Sequence, residues 1–139
     1  MKWKMYKRIA DFKYGIFLER NDYMKYEIVG RCLVLHLEGE LDHHYAAKIV
    51  EQTNLLVEKY PMKHILFDFS KINFMDSSGI GMLMGRYKKV SYTGGSVGVI
   101  GVSERVERIM RLSGLYKFIK KYEDAETAIE EMQKVKEKG

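Results

Sequence analysis

The sequence predicts an α/β fold, with one mixed β-sheet of about four to five strands packed with about four helices. Three observations carry this expectation. Short apolar runs, His64–Phe69 (HILFDF) and Val97–Val102 (VGVIGV), read as buried strands. Elsewhere apolar residues recur with helical spacing, as Ile80, Leu83, Met84, Tyr87 and Val90 do, giving one apolar face. The two patterns alternate along the chain, the order that lays helices against a mostly parallel or mixed sheet. A chain of 139 residues is long enough for one core and short for two.

In chain order, the regular pattern opens at Met24, which is also a second candidate start for translation. Tyr26–Val29 and Cys32–Leu37 read as two strands joined by a tight turn at Gly30-Arg31. Gly39-Glu40-Leu41-Asp42 reads as a loop. Asp42 is placed to cap a helix, because its carboxylate can accept the free N–H groups of a first turn. The stripe Ala46, Ile49, Val50, Leu55, Leu56 and Val57 predicts that helix, which stops before Pro61. The strand His64–Phe69 follows, then the helix after Ser77-Ser78, ended near Gly94-Gly95. After Val97–Val102, the residues Val106, Ile109, Met110 and Leu112 predict a short helix closed by Ser113-Gly114. Tyr116–Ile119 is expected as a last short strand, and Ala125–Val135 as a charged final helix.

Residues 1–23 stand apart. They carry six Lys/Arg against three acids, so +3 of the chain's net +5 resides there. The remaining domain has no concentrated basic face of the kind that binds nucleic acid. Trp3, Tyr6, Ile9, Ala10, Ile16 and Phe17 partly follow helical spacing, whereas Met5, Phe12 and Tyr14 break the stripe. One expectation is an amphipathic segment for a membrane surface or partner. The favoured one is an appended segment ordered by packing on the domain. The division expected is therefore 1–23, a basic and aromatic extension, and 24–139, the domain. No apolar run approaches the roughly 18 residues that span a bilayer, so no stable membrane insertion is expected. The single cysteine, Cys32, fits a reducing cytoplasm.

The richest stretch chemically is Phe74–Gly81 (FMDSSGIG), two hydroxyls with an acid and two glycines between a strand and a helix. A serine nucleophile would need the elbow Gly-x-Ser-x-Gly, but Met75 stands where its first glycine belongs. It would also need a base, and none of His36, His43, His44 and His64 lies in a recognisable motif. His43-His44 could suggest a metal, yet adjacent helical residues point about 100° apart and rarely share one ion. The glycines could suggest a phosphate loop, but the P-loop lysine is absent and Gly-x-Gly-x-x-Gly fails at Met84. Ser77 is left as a helix cap, as a phosphorylation switch, or as both.

These residues resemble the STAS domain of bacterial anti-sigma factor antagonists. The pieces that match are GELDHH (Gly39–His44), FMDSSGIG (Phe74–Gly81), GRYK (Gly85–Lys88) and SGLYKFI (Ser113–Ile119). GELDHH together with MDSSG is most similar to the sporulation branch of the family. The resemblance implies a cytoplasmic binding protein rather than an enzyme, with no cofactor of its own. Its unmodified form would bind an anti-sigma factor that is also a serine kinase, displacing a sigma factor. The kinase, which supplies the ATP, would phosphorylate the first serine of the motif, Ser77, and release an inactive protein. A PP2C-type phosphatase would reverse this. Carried over residue by residue, the partner surface comprises Glu40, Asp42, His43, Asp76, Ser78, Gly79 and Arg86. Other functions in view are a small-molecule module sensing a nucleotide or lipid, an antagonist in a general stress pathway, and a serine hydrolase.

Overall fold

The computed structural model describes residues 2–4, 16–20 and 24–138. The strands are β1 (Lys2–Lys4), β2 (Ile16–Arg20), β3 (Lys25–Val29), β4 (Cys32–Leu41), β5 (His64–Met75), β6 (Val97–Ile100) and β7 (Lys120–Lys121). The helices are α1 (His43–Lys59), α2 (Ser77–Ser91), α3 (Glu104–Leu112) and α4 (Ala125–Lys138). The sheet runs β1-β2-β3-β4-β5-β6-β7 in space. β1 to β4 pair antiparallel, and β4 to β7 pair parallel. Residues 24–138 thus form a mixed sheet of five strands with four helices, as the alternation of patterns predicts.

Period-two alternation sorts the side chains of β4 onto two faces. Leu33, Leu35 and Leu37 turn to one face, where they meet Ile49 and Leu56 of α1, Leu83 of α2 and Met110 of α3. Cys32 and Val34 turn to the other, where they meet Ala128, Ile129 and Met132 of α4. Three helices therefore cover one face and one covers the other. Each fully buried Leu or Ile contributes about 1.5–3 kcal/mol of transfer free energy, so the crowded face dominates the stabilisation.

Four local expectations are corrected. Gly39–Leu41 is not a loop: β4 runs to Leu41 because β5 is twelve residues long and keeps pairing with it through Met75. Tyr116–Ile119 is not a strand: Leu115–Lys117 forms a single 3-10 turn, and the strand is Lys120–Lys121. The reason is spacing, since Leu115 and Ile119 are both buried and stand four apart, which a helical turn satisfies and a strand does not. Leu55 and Leu112, counted into helical stripes, are 57% and 81% exposed. The helical spacing of the first segment also fails where it is described: Trp3, Ile16 and Phe17 lie in strands, and β2 pairs with β3 over five residues. The open edge of β3 offers backbone donors and acceptors that a strand satisfies and a helix cannot. Tyr6, Ile9 and Ala10 lie outside the described residues.

Candidate functional site

β4 and β5 are parallel neighbours, so both end at the same edge of the sheet, and the helices that follow both begin there. Glu40 pairs in register with Phe74, and Leu41 with Met75. The Asp76 N–H reaches the Leu41 carbonyl at 3.4 Å, tying the two strand exits together. The GELDHH and FMDSSG segments, more than thirty positions apart in sequence, become one surface.

Each exit is shaped by its own residues. The ladder between β4 and β5 shifts register between His36 and Glu38 and again between Gly39 and Glu40. Such bulges re-aim the side chains beyond them. Gly39 has φ +95° with open space where a Cβ would stand, so here the backbone conformation requires glycine. Asp42 then caps α1 as its sequence position predicts: its Oδ1 accepts the Tyr45 N–H at 3.0 Å. The Tyr45 hydroxyl returns to β4 and accepts the Glu38 N–H at 3.3 Å, fixing the entry angle of α1.

At the second exit, Asp76 rather than Ser77 is the cap. Its Oδ1 accepts the Ser78 N–H at 2.8 Å and its carbonyl accepts the Gly79 N–H at 3.0 Å. Ser77 is the first residue of α2 and is exposed, with its hydroxyl released from the capping role. Among the described residues Ser77 makes no hydrogen bond to an imidazole. Gly79 is buried, and a Cβ on it would stand 2.5 and 2.6 Å from Cγ and Sδ of Met75 and 3.2 Å from Leu41. Glycine lets α2 start directly on the end of β5, which holds Ser77 at the rim.

The structure thus gathers Glu40, Asp42, His43, Asp76, Ser77 and Ser78 around two adjacent helix N-termini. Glu40, His43 and Ser77 are exposed, and Asp42, Asp76 and Ser78 are half-buried. Three carboxylates make the rim acidic, and the two helix ends offset part of that charge. Arg86 lies elsewhere. It is 8% exposed between α1 and α2, where Nη1 donates to Thr53 Oγ1 at 3.1 Å and Asn54 Oδ1 at 2.7 Å. Burial lowers its pKa, and among the described residues its Nε has no hydrogen-bond partner. From this position Arg86 joins the helices that carry the rim and does not reach the rim itself.

Beside the rim stand Asn73 and Arg105, which no motif marks, and Phe74, which opens the FMDSSGIG stretch without an assigned role. A concavity next to Glu40 is lined by Asn73, Phe74 and Arg105. Phe74 is 40% exposed because it faces opposite to the buried Met75, a consequence of strand alternation readable once β5 is extended to Met75. Cys32 offers no alternative nucleophile: it is fully buried, and burial, with Glu27 adding to it, pushes its thiol up to about 12.

Comparison with known proteins converges on one architecture. The family model described as STAS domain matches residues 23–128. An anti-sigma F factor antagonist of Paenibacillus polymyxa is 35% identical over 103 residues, covering 74% of this chain and 88% of that protein. An anti-sigma-B factor antagonist of Listeria monocytogenes is 27% identical over 84 residues, covering 58% and 70%. Two solved structures of the anti-sigma factor antagonist SpoIIAA superimpose on the chain. The unphosphorylated form has a TM-score of 0.70 at 29% identity, covering 79% of this chain and 96% of that one. The phosphorylated form, from Bacillus, has a TM-score of 0.62 at 28% identity, covering 78% and 97%.

Proposed function

This chain belongs to the STAS domain family, and from that premise we propose that it is an anti-sigma factor antagonist switched by phosphorylation on Ser77. The unphosphorylated form binds an anti-sigma factor that is also a serine kinase and thereby releases a sporulation sigma factor. It is a cytoplasmic binding protein with no catalysis of its own. The domain is residues 24–139, and residues 1–23 are an extension of it. The observation that carries this reading is the exposed Ser77 at the first turn of α2, freed from capping by Asp76 and set beside the N-terminus of α1. A relative of the same fold solved in a phosphorylated form supports it.

The chemistry asks little of this chain. Ser77 Oγ attacks the γ-phosphorus of ATP held by the kinase, the bond to the β-phosphate oxygen breaks, and ADP departs. The hydroxyl proton passes to a base of the kinase. The chain's part is to present the hydroxyl, and then to carry about −1.5 to −2 added charges on its rim. A helix N-terminus accommodates that charge without unfolding. The partner surface, made by Glu40, Asp42, His43, Asp76, Ser78 and Gly79, does not: docking would desolvate a dianion beside three carboxylates. A penalty of about 4 kcal/mol lowers affinity roughly a thousandfold, which suffices for release. A PP2C-type phosphatase restores the hydroxyl.

Incubation of the full chain with its cognate anti-sigma kinase and ATP tests the assignment. One phosphate is expected, mapped to Ser77 by mass spectrometry; a phosphate elsewhere with Ser77 untouched contradicts it. A general stress pathway is the second reading, favoured by the Listeria relative. Release of RNA polymerase-competent sigma factor from each candidate anti-sigma complex separates the two.

A further inference from the structure

β6 covers β5 only from Ile65 to Asp68, whereas β5 continues to Met75. Beyond Asp68 the ribbon of β4 and β5 overhangs the sheet. The turn at Gly101 closes against the Ser70 backbone: a Cβ on Gly101 would stand 2.9 Å from the Ser70 N. Past that contact the overhang and the first turn of α3 leave the concavity lined by Glu40, Asn73, Phe74 and Arg105. Ser103 caps α3 by accepting the Val106 N–H at 3.3 Å, which fixes where Arg105 emerges. Arg105 is exposed, and among the described residues it makes no ion pair.

We propose that this concavity is a second contact point for the anti-sigma kinase, receiving a partner segment in which an apolar side chain stands beside a carboxylate. The proposal rests on the function read above. It is continuous with the Ser77 rim, since Glu40 belongs to both and Phe74 lies three residues before Ser77. The charge pattern selects the partner's chemistry. The rim itself is acidic and prefers a basic surface, whereas Arg105 stands on α3 outside it and prefers a carboxylate. Alternating preference across one interface fixes register and rejects partners that match only one half. The Phe74 ring supplies apolar area to be buried, and arginine and aromatic residues are the types that carry binding energy in protein interfaces.

Calorimetric titration of the unphosphorylated full chain into its cognate anti-sigma kinase tests this. Phe74→Ala and Arg105→Glu should each weaken binding by about tenfold or more, measured well below the thermal midpoint of each variant, and Arg105→Glu should keep the wild-type midpoint because its side chain is exposed. Leu112→Ala, at an exposed apolar residue of α3 outside the concavity, should bind as the wild type does. A charge-reversed kinase, with Lys in place of the facing acid, should recover affinity for Arg105→Glu. Affinities of both rim-adjacent variants within twofold of wild type, alongside a weakened Ser77→Asp, would overturn the second contact while leaving the switch intact. Failure of the wild type itself to bind overturns both. A dimer of the chain alone, dissolved by Phe74→Ala in sedimentation, assigns the concavity to a second copy and overturns the proposal.

Discussion

Ser77 and Asp76 divide two jobs that a single serine could have held. The carboxylate of Asp76 takes the helix cap and leaves the neighbouring hydroxyl exposed. A second residue-scale arrangement lies away from the rim. His36 is held between two carboxylates, with Nδ1 2.7 Å from Asp68 Oδ2 and Nε2 2.5 Å from Glu27 Oε2. Each ring nitrogen faces a carboxylate oxygen, an arrangement that favours the imidazolium. Burial opposes its charge, but the hydrogen bonds to Asp68 and Glu27 prevail and raise the His36 pKa above 6.5. Asp68 is likewise disfavoured by burial, yet bonds from His36 and Ser70 lower it from 3.8 to about 2. The signs follow from linkage. The His36 contribution is complete below its unfolded value of 6.5 and is lost as pH rises through the raised folded value. The Asp68 contribution is present above 3.8 and is lost as pH falls toward about 2. The wild type should therefore lose thermal stability on passing from pH 6 to more alkaline buffer, and His36→Gln should flatten that slope. A thermal midpoint that rises across the same interval, in the wild type alone, would contradict the assignment. None of this was legible in the sequence, where His36 is one polar residue in an apolar strand; its partners come from β3 and β5.

At the scale of elements, the periodicities were informative wherever one face is buried and misleading where it is not. Leu55 and Leu112 have helical spacing but face solvent. The apolar run predicts only six residues of β5 because Ser70, Lys71 and Asn73 interrupt it, yet these are exposed positions past the end of the pairing with β6, where β5 continues alongside β4. That extension carries the site, since it brings Phe74 opposite Glu40. The junction of β5 and α2 supplies a sharp test. In most helices Gly→Ala stabilises by about 0.8–1 kcal/mol. At Gly79 the added Cβ meets Met75 and Leu41, which are 1% and 0% exposed and cannot step aside into solvent. Overpacking of this kind costs about 1–3 kcal/mol. Gly79→Ala should thus lower unfolding free energy by about 1 kcal/mol net in urea titration; an increase would show that the close approach is not enforced. Arg86 shows the opposite limit of reasoning from a motif. GRYK carries it over as a partner contact, but the structure buries it between α1 and α2 with Thr53 and Asn54. Its partners sit more than thirty residues away in sequence, so nothing local marked it as interior.

Across the whole molecule the division of labour follows the sheet. The antiparallel half is extended by β1 and β2, which take up the edge of β3. At the parallel half the opposite edge is β7, only two residues long and both lysine, a form that discourages strand addition. The carboxyl ends of the parallel strands carry the helix N-termini and the acidic rim. The order of elements, and so the fold class, was legible because alternating strand and helix patterns admit few arrangements. The meeting of GELDHH with FMDSSG was legible only through family resemblance, because parallel pairing joins positions that no local pattern relates. The central claim is that charge at Ser77 controls docking while the fold stays as it is. The most direct measurement is the affinity of the unmodified and the Ser77-phosphorylated chain for the anti-sigma kinase, with amide spectra of both forms. The account predicts affinity lower by roughly a thousandfold after phosphorylation, Ser77→Ala binding like the unmodified chain, and spectral changes confined to the rim. Equal affinities for the two forms, or a loss of affinity accompanied by spectral change throughout the sheet, would contradict it.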